Sequence, residues 1–156
     1  TDIDDYAAPL HEAVESLCEH YGVGDVIIVA HSMGGLAARS YLRRYGGSRV
    51  RQLITVGTPH RGTSLARYGM GTNSRQMEPD SPWLQHLNGN ARRQTTAITA
   101  ILSRHDELIS PRENAVLPGA VNIHLEGVGH LTLGMCAATV GHIYRTVTEA
   151  TASTSH

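Results

Sequence analysis

Phenylalanine is absent from the 156-residue sequence, and aromatic residues make up only 4% of it. Leucine, isoleucine, valine and alanine must therefore fill the core of a chain that is long enough for one domain. The net charge is −1 with the histidines neutral. So small a charge gives no electrostatic reason to expect binding to nucleic acid or to an anionic membrane surface.

Long apolar runs and cysteines are also scarce. No run approaches the roughly 20 apolar residues that a membrane-spanning helix needs. The N-terminus shows no signal peptide, and the sequence leaves both a secreted and a cytoplasmic location open. The only two cysteines, Cys18 and Cys136, show neither CxxC nor Cys/His metal spacing. We expect two free buried thiols, with one disulfide as the alternative, and no metal or cofactor.

Short apolar runs alternate with helical patterns along the chain. The apolar runs predict four buried strands, at residues 25–30, 50–58, 95–103 and 120–127. Amphipathic spacings and cap residues predict helices over residues 5–21, 33–45, 82–88 and 131–149. This alternation predicts an α/β fold, with a parallel sheet of about four strands flanked by helices on both faces. We expect a single domain over 1–148 and a flexible tail over 149–156.

Three chemically active residues follow three of the four predicted strands. Ser32 follows the first strand, Asp106 the third and His130 the fourth. Because parallel sheets form ligand sites at the carboxyl ends of their strands, we expect the three side chains to meet at one rim. Glu107 and the more distant Asp80 are alternatives for the carboxylate.

These residue types suit nucleophilic catalysis. A serine hydroxyl becomes an effective nucleophile when a histidine takes its proton and a carboxylate orients that histidine. Ser32 stands in a small-x-Ser-x-Gly pattern between strand and helix, which matches the nucleophile-elbow motif. We expect crowding there to require small residues at Ala30 and Gly34. The Met33 N–H, at the start of a helix, is the expected oxyanion donor, and His31 is expected to pack beside the turn.

Four segments resemble the bacterial lipases and esterases of the α/β-hydrolase fold: VAHSMGGLAAR, VGTPHRGT, SRHDELISP and GVGHLTL. The resemblance runs from about residue 5 to residue 148. It implies a carboxylic ester hydrolase in which Ser32 is the nucleophile, Asp106 the acid and His130 the base. Such an enzyme forms an acyl-enzyme intermediate on acyl esters or lipids, here expected to be short- to medium-chain esters, and needs no cofactor.

The same resemblance assigns residues 59–95 to a cap or lid insertion. The segment beginning at Pro59 would help to wall the substrate site, with His60 and Arg61 structural rather than catalytic. Trp83 would contact the acyl chain, although packing beneath a loop is an equally good interpretation of this residue.

The sequence departs from the family in one respect. Family members carry further strands and a His-Gly-type loop before the first helix seen here. Without them, the strand at 25–30 would have an open edge, which favours pairing or aggregation. Three explanations compete: a minimal enzyme, a fragment, or an edge covered by a second copy or a complementary chain. Two other functions also stay open, a thioesterase or acyltransferase with the same triad and a non-catalytic half-domain that assembles with a partner.

Overall fold

The computed structural model describes residues 1–89 and 95–152. Four parallel strands form one sheet in the order of the chain: β1 (Val26–His31), β2 (Val50–Val56), β3 (Ala97–Ser103) and β4 (Val121–Leu125). The predicted α/β class and four-strand parallel sheet are therefore confirmed. The sequences of β1 and β3 are mostly apolar, as expected when both faces of a parallel sheet are covered, whereas β2 contains Arg51 and Gln52 and β4 alternates apolar with polar residues.

The helices lie between and after the strands. They are α1 (Ala7–Tyr21), α2 (Met33–Tyr45), α3 (Thr72–Gln76), α4 (Pro82–Gly89), α5 (His130–Leu133) and α6 (Ala137–Ala152). Short 3₁₀ turns occupy Ile3–Tyr6, Ser64–Tyr68 and Arg112–Ala115. Among residues 1–89 and 95–152, no helix is long and apolar enough to cross a membrane.

Two buried clusters hold helices against opposite faces of the sheet. On one face, α1 and α2 pack on β2 through residues that include Val14, Cys18, Tyr41, Leu42 and Leu53. On the other face, α5 and α6 pack on the sheet through residues that include Ile54, Val56, Ile101, Leu133, Ile143 and Val147. The loops that follow the carboxyl ends of the four parallel strands lie at one end of the sheet.

The closing helix differs from its prediction. A single helix over 131–149 is wrong, because residues 134–136 separate α5 from α6. The chain turns at Gly134, where a side-chain Cβ would come within 3.2 Å of the His31 ring. Helix α6 then continues to Ala152, four residues into the segment predicted as a tail, and residues 153–156 lie outside the described residues.

The segment predicted as a cap contains helices that pack into the core. Leu84 and Leu87 of α4 are 2% and 4% exposed and join a cluster with Ile3 and Leu36. The predicted N-cap of α4 is confirmed, since the Leu84 N–H donates to Ser81 Oγ at 3.2 Å. Residues 90–94, near the end of this segment, lie outside the described residues.

Both cysteines are free thiols, as predicted, and are not joined in a disulfide. Cys18 lies in α1 and is buried in the core, but the predicted burial of Cys136 is wrong, since this residue is only partly buried just before α6. Within the ranges that the structure describes, no three His, Cys, Asp or Glu side chains are grouped as they would be to hold a metal ion.

Candidate active site

Ser32 occupies a sharp turn between β1 and α2. Its backbone has φ 53° and ψ −129°, a conformation that residues other than glycine rarely adopt. The Ser32 N–H donates to the Val56 carbonyl at 2.8 Å, which ties the turn to the end of β2. The side chain makes no capping hydrogen bond to α2. Its hydroxyl is therefore available to a partner above the sheet.

That partner is His130. His130 Nε2 lies 2.9 Å from Ser32 Oγ, and His130 Nδ1 lies 2.8 Å from Asp106 Oδ2. The imidazole is 3% exposed and Asp106 is 1% exposed. The structure thus brings together three residues from three different strand ends, on loops that follow β1, β3 and β4.

The carboxylate of Asp106 is held on both of its oxygens. While Oδ2 faces His130, Oδ1 accepts the backbone N–H groups of Leu108 at 2.9 Å and Ile109 at 3.2 Å. With Oδ2 accepting the Nδ1–H of a neutral imidazole, Nε2 carries the lone pair that faces Ser32. This tautomer allows Nε2 to accept the hydroxyl proton of Ser32.

The other acidic candidates lie elsewhere. Asp80 is an exposed turn residue with φ 60°, and its carbonyl accepts the side-chain amide of Gln85. Glu107 approaches the backbone of His130 rather than its ring, since Oε2 accepts the His130 N–H at 3.1 Å. The carboxylate that contacts the imidazole is therefore that of Asp106.

The small residues Ala30 and Gly34 lie against each other at the turn, as expected. A Cβ added at Gly34 would lie 3.9 Å from the Ala30 Cβ, an ordinary van der Waals contact. The tight position is Gly35, where an added Cβ would overlap the Thr58 hydroxyl. Thr58 comes so close because its Oγ1–H donates to the Ser32 carbonyl at 2.8 Å. Sequence reasoning missed Thr58, although the VGTP segment after β2 was its signal.

Gly57 is a second residue that sequence reasoning missed. It follows β2 with φ 57°, and an added Cβ would lie 3.4 Å from both Asp106 Oδ2 and His130 Cε1. The glycine thus forms the floor beneath the contact between the imidazole and the carboxylate. Its position directly after a predicted strand was the available signal.

A buried network lies on the α2 side of the sheet beneath the rim. His60 Nε2 lies 2.9 Å from Thr55 Oγ1, and His60 Nδ1 lies 3.3 Å from Arg39 Nη1. Arg39 Nη2 also donates to Asn88 Oδ1 at 2.8 Å. Burial, and secondarily the Arg39 charge, holds the pKa of His60 well below its usual range. Burial lowers the pKa of Arg39 to about 10, so Arg39 is charged and His60 neutral at pH 7.

The remaining predicted residues differ in burial and in what they contact. Met33 is the first residue of α2, Pro59 is buried in the loop after β2, and His31 is exposed with its ring centroid 5.0 Å from that of His130. Trp83 is turned toward the N-terminal segment, because its Nε1–H donates to Asp4 Oδ2 at 3.0 Å and its ring packs on the cluster of Ile3 and Leu36. These contacts are the local packing that was one of its two interpretations.

Comparison with known proteins adds to this geometry. A family model described as alpha/beta hydrolase fold matches residues 1–97, which include the Ser32 turn. Among solved structures, the lin2722 gene product of Listeria innocua is 23% identical with a TM-score of 0.68, over 92% of this chain and 66% of that one. The mature Bacillus licheniformis lipase BlEst2 is 18% identical with a TM-score of 0.73, over 85% and 69%.

Aspergillus fumigatus lipase B is also similar. It is 19% identical with a TM-score of 0.67, over 80% of this chain but only 34% of that protein. The chain thus spans from about one third to about two thirds of the length of these three proteins. At such identities the likeness is one of fold.

Proposed function

Because the chain belongs to the α/β-hydrolase fold family, we propose that it is a carboxylic ester hydrolase with Ser32 as nucleophile, His130 as base and Asp106 as the orienting acid. One observation carries the proposal: an unbroken path of hydrogen-bond contacts, 2.9 Å and 2.8 Å long, from the hydroxyl through the imidazole to the carboxylate. This order of a hydroxyl, an imidazole and a carboxylate at the ends of three strands is the order of a catalytic triad.

The proposed reaction has two halves. Ser32 Oγ attacks the ester carbonyl while His130 Nε2 accepts the hydroxyl proton, and the imidazolium then gives that proton to the departing alkoxide. Water attacks the resulting acyl-enzyme with the same histidine as base, which releases the carboxylic acid and restores Ser32. Asp106, fixed by two backbone N–H groups, stabilises the imidazolium in both halves.

The negative charge that develops on the carbonyl oxygen needs hydrogen-bond donors. We assign one of them to the Met33 N–H, because the first N–H groups of a helix have no intrahelical acceptor and point out of its N-terminus. A donor of this kind contributes on the order of 3–4 kcal/mol to the transition state.

We propose short- to medium-chain acyl esters as substrates, with Pro59 part of the wall of the site. The names of two similar structures support an acyl ester, since both are called lipases. For Trp83, the contact with Asp4 favours packing over acyl-chain binding as its main role.

The direct test uses Ser32→Ala with the exposed Ser48→Ala as its control. The wild type and Ser48→Ala should hydrolyse p-nitrophenyl butyrate and react with a fluorophosphonate probe, while Ser32→Ala should lose at least about a thousandfold in kcat because its nucleophile is gone. Equal turnover by Ser32→Ala would refute the proposal.

Thioester and acyl-acceptor substrates, assayed beside the ester, separate an ester hydrolase from a thioesterase or an acyltransferase. A folded wild type that the fluorophosphonate probe does not label would indicate a non-catalytic domain.

A further inference from the structure

The backbone of His130 is held by side chains at both of its polar groups. Its N–H donates to Glu107 Oε2 at 3.1 Å. On the other side, His31 Nε2 lies 3.3 Å from the His130 carbonyl oxygen, to which the Nε2–H tautomer donates. Neither side chain contacts the imidazole by these atoms; each contacts the peptide groups that carry it.

The helix that begins at His130 cannot hold this backbone by itself. Helix α5 has only four residues, and the N–H of its first residue has no intrahelical acceptor. Leu131 is 71% exposed, so packing does not fix the residue after His130. The two side-chain hydrogen bonds therefore supply the fixation that a longer helix or a buried neighbour would otherwise provide.

Glycines at both ends of α5 make room for these two side chains. A Cβ at Gly129 would lie 3.0 Å from Glu107 Oε2, and a Cβ at Gly134 would lie 3.2 Å from His31 Cδ2. Each holding side chain thus lies directly against a glycine that flanks the helix. Two glycines and two side chains thus fit together around the backbone of α5.

The two holding residues are also neighbours of the two groups that contact the ring. His31 precedes Ser32, and Glu107 follows Asp106. The same two loops that present the hydroxyl and the carboxylate therefore also grip the peptide that carries the imidazole. Any displacement of one loop moves both the ring contact and the backbone contact together.

We propose that Glu107 and His31 form a backbone clamp that positions His130 between Ser32 and Asp106. The inference rests on the proposed function, because positioning matters only if His130 is the base. Both are positioning residues: each holds the backbone that carries the imidazole, and the His31 ring also lies 5.0 Å from the imidazole, centroid to centroid. A displacement of about 1 Å at a reacting group is enough to lower a rate by roughly a hundredfold, so loss of either hydrogen bond should appear in kcat.

The test compares removal of each hydrogen bond with its conservative replacement. Glu107→Ala should lower kcat for p-nitrophenyl butyrate by about ten- to a hundredfold with little change in KM, while Glu107→Gln, whose amide oxygen still accepts, should stay within about threefold of wild type. At the His130 carbonyl, His31→Leu removes the hydrogen-bond donor and His31→Gln keeps one. We expect the same contrast in kcat between these two variants. Equal losses in Glu107→Gln and Glu107→Ala would overturn the clamp, because the charge rather than the hydrogen bond would then be what matters.

Two further measurements guard against misfolding and against failure of the proposed function. Gly129→Ala keeps the Glu107 residue but adds a methyl group that pushes its carboxylate away. This variant should therefore show the same loss of kcat as Glu107→Ala, with an unchanged circular dichroism spectrum. Amide hydrogen exchange of His130 by NMR requires no activity: Glu107→Ala should accelerate it at least about tenfold and Glu107→Gln should not. Absence of Ser32-dependent turnover in the wild type would refute the proposed function alone, whereas unchanged exchange in Glu107→Ala would refute the clamp.

Discussion

The strained backbone of Ser32 and the glycine beneath His130 show how single residues set the site. Ser32 adopts a positive φ that costs of order 1–3 kcal/mol, and the Thr58 hydroxyl and the Val56 carbonyl hold it there. This strain turns the hydroxyl away from a capping position and toward the imidazole. Residues that never touch a substrate therefore determine where the nucleophile points.

Gly57 leads to the first prediction. Gly57→Ala adds a methyl group 3.2 Å from Leu133 Cδ2 and 3.4 Å from Asp106 Oδ2 and His130 Cε1, so these contacts must give by a few tenths of an ångström and kcat should fall by about tenfold. The matched control is Gly119→Ala, which has the same kind of positive φ, 83° against 57°, but no atom within 4 Å of its added Cβ. Both variants should lose some stability to backbone strain. Ester hydrolysis that falls equally in both would contradict a specific role for Gly57.

The second prediction concerns Asp106. Asp106→Asn keeps the size of the side chain but presents an amide to Nδ1, which disfavours the tautomer that can accept a proton at Nε2. We expect kcat to fall by about a thousand- to ten-thousandfold with the fold retained by circular dichroism. The exposed Asp80→Asn should behave as wild type. A harmless Asp106→Asn would move the orienting role to another acid.

At the scale of elements, α4 belongs to the core. Leu84 is 2% exposed, so Leu84→Ala should lower the free energy of unfolding by about 2–5 kcal/mol. Leu65→Ala is the control within the same predicted insertion, because Leu65 is 39% exposed and its loss should cost about 1 kcal/mol or less. Urea unfolding measures both. A Leu84→Ala variant as stable as Leu65→Ala would mean that α4 does not pack as a part of the core.

The elements that could be predicted from sequence are those with strong local signals. The strands β1 and β3 carried mostly apolar runs with several β-branched residues. Helix α2 carried both an apolar period and a Gly46 stop, so its bounds agree with the prediction at both ends. The order of Ser32, Asp106 and His130 after three strands also predicts that they meet at one rim, and the His130 imidazole does lie within hydrogen-bond distance of the other two side chains there.

What could not be predicted depends on contacts between distant segments. The division between α5 and α6 arises where Gly134 meets His31, about a hundred residues away along the chain, and no local period reports such a meeting. The tight position Gly35 and the floor residue Gly57 likewise depend on Thr58 and His130 across the fold. Single-sequence patterns identify a glycine but not the atom that it must avoid.

At the scale of the whole molecule, a buried neutral histidine links stability to pH. Burial first, and the Arg39 charge second, holds the pKa of His60 well below 6.5 in the folded chain. The unfolded chain binds a proton there near the ordinary value, so below that pH the unfolded state holds more protons and the free energy of unfolding falls. The stabilisation is present above about pH 6.5 and is lost on acidification, by at most about 1.4 kcal/mol per pH unit.

Urea unfolding between about pH 7.5 and pH 5 checks this slope. His60→Gln cannot take up the proton, so its free energy of unfolding should decline less steeply with acid than that of the wild type. The difference between the two curves isolates His60 from every other titrating group. Parallel curves would show that His60 is not the origin of the dependence.

The open edge of the sheet concerns the molecule as a whole. β1 pairs only with β2 among residues 1–89 and 95–152, and Val29 on this edge strand is 48% exposed. We propose that a strand from a second copy or from a complementary segment covers this edge, since such edges pair readily. Light scattering should give a mass above 16.8 kDa for the wild type and about 16.8 kDa for Val29→Lys, which places a charge on the edge. Equal masses would count against a second copy.

The sheet order β1-β2-β3-β4 has a consequence for synthesis. Each of β2, β3 and β4 leaves the ribosome after the strand with which it pairs, so the sheet can grow by one strand at a time. The loop with residue 130 comes after all four of these strands, so the hydroxyl of residue 32 has no imidazole beside it until the fourth strand has been made. The chemistry of this site therefore waits until β1 to β4 have all been synthesised.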